Sequence, residues 1–244
     1  MLTRFDLYYK IQKNVFMSGR ISSDAYTIYY SDEQDIPYCN YAVVSDLSSV
    51  SRLLNSISED FAKIDRKPCI YINSNQSNEL RELQEYNMHV RYMEVCLRYG
   101  GNDVDMPYRH QLKKVDETNI EDYMQVYTKP ENNYAFKLDS KFLDGVRKGL
   151  KAPNFYNYLV YDGKKPVSVV SLGEYKGYYM IYGPVTEADY RGKGYSQTAL
   201  GACVRKFQED KGKELYVVQP SNVGLEKLYM QHGFKKVFTG YVLY

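Results

Sequence analysis

The sequence has no tryptophan, only three histidines and only four cysteines in 244 residues. Cys39, Cys69, Cys96 and Cys203 are scattered, and none stands near a histidine at metal-ligand spacing. That argues against a metal centre and leaves buried reduced thiols as the expectation. His89, His110 and His232 form no cluster either, so each is expected to be structural. No apolar run is long enough to cross a bilayer. The opening MLTRFDLYYKIQKN has no apolar signal-peptide core, so a cytoplasmic protein without a membrane partner is expected. Charge of one sign is also missing. The net +2 is too small to point to nucleic acid.

What is present is ordinary in bulk and uneven in distribution. Hydrophobic residues make up 44% and charged residues 25%, as in a soluble globular protein. The length fits one large domain or two small ones. The first 107 residues hold 11 Lys and Arg against 15 Asp and Glu, a balance of −4, and the remainder carries +6. An anionic ligand would suit the second half. The 28 tyrosines fall largely in strand-like runs and indicate no function by themselves.

A seam is expected near MPYRHQLKKVDETN, after the linker-like Gly100-Gly101-Asn102-Asp103. It divides the chain into residues 1–107 and 108–244. After it, Arg109–Val115 reads as a strand. Asp116, Thr118 or Asn119 caps a helix through Tyr127, and Asp139 or Ser140 caps one with Phe142, Leu143, Val146 and Leu150 on a face. Asp162-Gly163-Lys164-Lys165 joins two strands as a hairpin. The strand YYMIYGPVT is interrupted by Gly183-Pro184, where a bulge is expected. A helix from Tyr195, a strand ELYVVQ, a helix ending at Gly233 and the strand material of FKKVFTGYVLY complete the order β-α-α-β-β-β-α-β-α-β-β. This is an α/β fold with a mixed sheet and helices on both faces. The first half reads YCNYAVV, SSVSRLLNSISEDFAKI, PCIYIN, SNELRELQEYN and HVRYMEVCLRY as β-α-β-α-β, with Ser77 or Asn78 capping the second helix. The end of the chain has the same order, so a duplicated fold is expected whose first copy has lost its ligand loop.

The chemistry concentrates in VTEADYRGKGYSQTAL. Arg191-Gly192-Lys193-Gly194 is a flexible cationic turn directly before a helix. A helix N-terminus exposes unpaired N–H groups and partial positive charge, glycine admits φ > 0, and the two cations add full charge. The combination suits phosphate. Gly194 follows Lys193 where a P-loop needs Ser or Thr, and Gln197 stands where a dinucleotide fingerprint needs glycine. A helix rather than a β-hairpin follows the turn, unlike the glycine loop of a kinase.

The stretch Val185–Ser196 resembles the acyl-CoA signature of the GNAT superfamily of N-acyltransferases, Gln/Arg-x-x-Gly-x-Gly/Ala between a strand and a helix. Arg191 and Gly194 match it, and Ser196 is a small-residue departure. Asn222 through Tyr229 to Gly233-Phe234 resembles the family's second helix, with Gly224 and Leu225 a looser fit. The resemblance covers about 108–244 and weakly the first half. It implies a mostly antiparallel mixed sheet splayed between two central parallel strands. It also implies an acetyl-CoA co-substrate, no metal, and transfer to a primary amine of a small molecule or peptide in a ternary complex.

The resemblance further places pantetheine contacts at Val185, diphosphate contacts at Arg191, Gly192, Lys193, Gly194, Tyr195 and Ser196, and a cofactor contact or helix cap at Asn222. Tyr229 is then the candidate acid for the leaving thiolate, since a phenol (pKa ~10) lies near a thiol (~8.5). Glu174, ending the strand PVSVVSLGEY, is the candidate base. Another acyl donor, or a non-catalytic CoA-binding or structural module, stands as the alternative, and a monomer and a homodimer are equally compatible.

Overall fold

The computed structural model describes residues 3–13, 15–44, 50–73, 83–84, 86–101, 109–129 and 138–244. Most of the helix expected over 77–87 lies outside these residues. So do linker residues Asn102 and Asp103, the expected boundary at 107/108, and the loop from Pro130 to Phe136. Along the chain run α1 (Arg4–Gln12), β1 (Gly19–Ser22), β2 (Tyr26–Tyr30), β3 (Tyr41–Val44), α2 (Val50–Lys63), β4 (Ile70–Asn73) and β5 (Val90–Tyr99). There follow β6 (Gln111–Lys114), α3 (Ile120–Tyr127), α4 (Ser140–Lys151), β7 (Phe155–Asp162), β8 (Lys165–Tyr175) and β9 (Tyr178–Thr186). The chain ends with α5 (Tyr195–Glu209), β10 (Glu214–Pro220), α6 (Val223–Gln231) and β11 (Phe234–Leu243). They form two compact units. One gathers Met1–Leu97, Gln219–Leu228 and Lys236–Tyr244; the other gathers Arg98–Val218 and Tyr229–Lys235.

In the second unit β6, β7, β8 and β9 pair antiparallel in that order, and β9 pairs β10 in parallel. This is the mixed, mostly antiparallel sheet that the sequence implied. Local chemistry sets its connections. Gly163 takes φ +58 in the β7–β8 turn. The Asp139 carboxylate accepts the Phe142 amide at 2.8 Å and caps α4. Before α3, Asp116 accepts the Thr118 amide at 2.8 Å and Asn119 accepts the Asp116 amide at 2.9 Å. Pro166–Gly173 of β8 is buried without alternation, so this central strand is covered on both faces. Helices α3 and α5 pack on it.

In the first unit β1, β2 and β3 pair antiparallel, α2 crosses over, and β4 returns parallel to β3. Leu54, Ile57 and Phe61 of α2 pack with Ile28, Ile70, Ile72 and Leu243 in its core. The order β1-β2-β3-α2-β4 repeats β7-β8-β9-α5-β10, including the single parallel pairing. Sequence periodicity had not assigned α1, β1 or β2.

One strand differs from expectation. FKKVFTGYVLY forms the single strand β11, where the sequence order had two. Gly240 does not turn; it pairs opposite Asn73. It is glycine because the Tyr71 ring crosses it: a Cβ would sit 2.3 Å from Tyr71 Cε1. Gly240→Ala is therefore expected to destabilise the protein by about 1–3 kcal/mol through overpacking. Urea unfolding checks it, and an unchanged midpoint would mean that the Tyr71 ring moves aside freely.

All four cysteines are free and buried. Among the described residues no helix is long and apolar enough to cross a membrane. No group of three metal-binding side chains occurs among them either.

Candidate functional site

Strands β9 and β10 pair from Tyr178–Glu214 to Ile181–Val217 and no further. β9 continues for five more residues to Thr186, unpaired on that side among the described residues. The cause lies in β9 itself. Val169 pairs with Val185 and Ser171 with Tyr182, so Gly183 and Pro184 together oppose Val170. This is the expected bulge. Gly183 takes φ +50, and a Cβ on it would lie 2.9 Å from the Tyr127 ring. Pro184 has no N–H to offer a neighbouring strand.

The bulge also decides which residue faces the opening. The Glu187 amide donates to the Val167 carbonyl at 2.9 Å, so residue 187 faces β8. Residues two apart on a strand face the same way. Val185 faces β8 too, and its carbonyl accepts the Ser168 hydroxyl at 2.9 Å. Thr186 turns its N–H and C=O to the open side, where Arg191 Nε donates to the Thr186 carbonyl at 3.1 Å. Val185, expected from sequence to face the gap, thus faces β8, and Thr186 is the residue whose backbone groups face the open side.

A short 3-10 turn, Ala188–Tyr190, connects β9 to the glycine turn. Gly192 (φ +75) and Gly194 (φ +89) both adopt conformations that glycine favours, and Gly194 is the N-cap of α5 without a side-chain cap bond. Among the described residues, the amides from Gly192 to Gln197 donate to no internal acceptor. Two lysines flank Tyr190, just before the turn. Lys165 Nζ lies 4.6 Å and Lys193 Nζ 5.4 Å from the centre of the Tyr190 ring. Lys165 also binds Glu187 at 2.9 Å, a hydrogen bond that raises its pKa, and Lys129 lies 3.6 Å from the same carboxylate. Glu187 is 4% exposed and so anchors this loop to both lysines. Sequence reasoning missed Glu187, Lys165 and Thr186, which carry no motif.

It also missed His110. The imidazole stacks on Tyr195 with ring centres 3.8 Å apart, and its Nε2 lies 2.9 Å from the Lys193 carbonyl.

Tyr229 belongs to the same unit as the turn. It is 3% exposed, its ring meets Phe234 edge-on at 5.4 Å, and its hydroxyl has no hydrogen-bond partner among the described residues. Burial pushes its phenol well above the ordinary tyrosine range, and the neighbouring Cys203 adds to the shift. Cys203 lies eight residues along α5 from Tyr195, about 12 Å at the helical rise. The turn and the tyrosine thus mark two depths along one helix.

Two assigned residues have local partners of their own. Glu174 lies five residues along β8 from Val169, the partner of Val185, roughly 17 Å away at the strand rise. Its carboxylate accepts the Gly177 amide at 2.7 Å and closes the opposite turn of the hairpin, where Lys176 (φ +53) and Gly177 (φ +82) have positive φ. Its carboxylate thus serves that turn. Asn222 belongs to the first unit. It accepts the amides of Gly224 and Leu225 at 3.0 and 3.1 Å, and so caps α6.

Comparison with known proteins bears on the family and the fold. The model of the acetyltransferase (GNAT) family matches residues 115–234. Among solved structures, a GCN5-related N-acetyltransferase from Kribbella flavida is 17% identical with a TM-score of 0.70, over 97% of this chain and 92% of that one. One from Sphaerobacter thermophilus is 12% identical with a TM-score of 0.65, over 93% and 82%. A tandem GNAT protein from the clavulanic acid biosynthesis pathway is 11% identical with a TM-score of 0.61, over 91% and 80%. At these identities the likeness is one of fold. None of the curated proteins compared matches the sequence.

Proposed function

Residues 115–234 belong to the GNAT acetyltransferase family, and from that premise we propose that the protein moves an acetyl group from acetyl-CoA to a primary amine in a ternary complex. The observation that carries the reading is the glycine turn of α5 standing next to an unpaired, bulged strand end in one unit. The turn offers amides and cations to a diphosphate. The Thr186 N–H offers a strand-like contact to an amide of the pantetheine arm.

The chemistry then needs three things from the chain. The amine must arrive neutral, with its lone pair free for the thioester carbonyl carbon. The N–C bond forms as the C–S bond breaks, and the amine proton leaves to solvent. The thiolate needs a proton or hydrogen bond. Tyr229 suits that last need as a hydrogen-bond donor: burial raises its phenol further above the thiol's ordinary range, so it stays protonated and stabilises the thiolate by donation while solvent supplies the proton. No side chain is assigned as base, since Glu174 is committed to its turn. In this reading the unit of Arg98–Val218 and Tyr229–Lys235 carries the catalysis, narrower than the 108–244 expected from sequence, and the unit of Met1–Leu97, Gln219–Leu228 and Lys236–Tyr244 is a GNAT-like unit without a glycine turn. The acceptor is a small-molecule or peptide amine.

Calorimetry with CoA, followed by thiol release from acetyl-CoA against pooled amines, amino acids, polyamines, aminoglycosides and peptides, tests the proposal. Binding in the micromolar to millimolar range, typical of enzyme substrates, and thiol release with one amine class are expected. Binding without release over the whole panel would leave a CoA-binding module. A flat titration of folded protein would remove the reading altogether.

A further inference from the structure

We infer that His110, contributed by the segment preceding β6, is a positioning residue that locks the glycine turn into its anion-binding form; the inference rests on the CoA reading above. A carbonyl oxygen can only accept, so at 2.9 Å from the Lys193 carbonyl His110 Nε2 must carry the proton and donate it. The peptide between Lys193 and Gly194 is planar and trans. In a trans peptide the C=O and the following N–H point in opposite directions. Tying the Lys193 carbonyl to His110 therefore directs the Gly194 N–H away from the imidazole. There it joins the unpaired amides of the first turn of α5.

The ring itself is held by Tyr195. The two rings are 3.8 Å apart and 23° from parallel, and Tyr195 is 6% exposed. Tyr190 meets the other side of the arrangement, edge-on to Tyr195 at 5.6 Å. His110 also lies against Gly194, where a Cβ would be 3.5 Å from Nε2. A turn with two glycines at positive φ has many conformations open to it, and glycine loses more conformational freedom on ordering than any other residue. A fixed imidazole that selects one of them before the ligand arrives lowers the ordering cost of binding. This explains why a histidine 83 residues from the turn is built onto it.

The test uses the full chain with His110→Ala, His110→Gln and Tyr195→Leu. Glutamine places an amide N–H near the position of Nε2, alanine removes the donor, and leucine removes the stack together with the Tyr195 hydroxyl's bond to Asp162 and its edge contact with Tyr190. Two readouts are taken: hydrogen exchange of the Thr198 amide, which donates to the Gly194 carbonyl of the turn at 3.1 Å, without any ligand, and CoA affinity by calorimetry. His110→Ala and Tyr195→Leu are expected to speed exchange of that amide. They should weaken CoA roughly three- to tenfold, the range of one net hydrogen bond, and in His110→Ala the loss should fall on KM for acetyl-CoA more than on kcat. His110→Gln should recover most of both effects. CoA binding by wild type with exchange and affinity unmoved in His110→Ala overturns this inference and leaves the proposed function standing. Wild-type protein that ignores CoA overturns the proposed function, and the ligand half of this inference with it. The exchange readout then still decides whether the clamp exists.

Discussion

Gly194→Glu is expected to lower CoA affinity by at least about 100-fold while the protein stays folded. Two effects act at this position, and they can be separated. The first is conformational. Gly194 sits at φ +89, ψ 3, and a left-handed conformation costs an L-residue roughly 1–2 kcal/mol. There is room for a side chain, since a Cβ on Gly194 would have Gln197 Oε1 and His110 Nε2 as its nearest neighbours, both 3.5 Å away. The domain should therefore tolerate the substitution.

The second effect is charge. A carboxylate at the head of α5 competes for the same amides and repels the diphosphate. Two like charges about 4 Å apart near a surface repel by about 4 kcal/mol, close to a thousandfold, which salt then reduces. Gly194→Ala carries the conformational cost without the charge and should keep affinity within about tenfold. Calorimetry with CoA at two salt concentrations distinguishes the variants. The glutamate variant should regain part of its affinity as salt rises. Wild-type affinity in Gly194→Glu would mean that the diphosphate lies elsewhere.

The features legible in the sequence are those set by local chemistry. Gly183-Pro184 announced the bulge because one residue bends readily and the other has no N–H. Gly192 and Gly194 announced a positive-φ turn, Asp139 a helix cap, and Asp162–Lys165 a hairpin. The features that stayed hidden depend on contacts between distant residues. Gly240 interrupts a strand-like run, and only the Tyr71 ring lying across it explains a glycine in mid-strand. Helix α1 buries Leu7, Tyr8, Tyr9, Ile11 and Gln12 in near succession, so it shows no clean 3.6-residue period.

Val185 and Thr186 were exchanged for a subtler reason. A bulge of one residue inverts the facing of every later residue on its strand. Its presence was readable, but its register was not. Glu174 had the right chemical type, yet strand length carried it to the far end of the hairpin. His110 reads as a lone histidine until the fold brings it onto Tyr195.

Tyr229→Phe is expected to lower kcat by roughly 100-fold or more, within the usual range for removal of a hydrogen-bond donor to developing negative charge, and to leave CoA affinity nearly unchanged. Phenylalanine keeps the ring and its edge-on contact with Phe234 at 5.4 Å, so only the hydroxyl is lost. That hydroxyl has no partner among the described residues, so its removal leaves no described group unpaired and stability should hold. The pH dependence gives a second check. Burial raises the phenol's pKa above its ordinary value of about 10. The protonated, donating form then persists through neutral and mildly alkaline solution, and only above pH ~10 would its loss reduce kcat. As pH falls the same group gains nothing, since it is already protonated. Wild-type kcat should therefore show no decline attributable to this residue between pH 7 and about 9. A fall in CoA affinity equal to the fall in kcat/KM would make Tyr229 a binding residue instead of a donor to the leaving thiolate. Full kcat in the phenylalanine variant would end its catalytic assignment and leave the leaving thiolate to be stabilised by water.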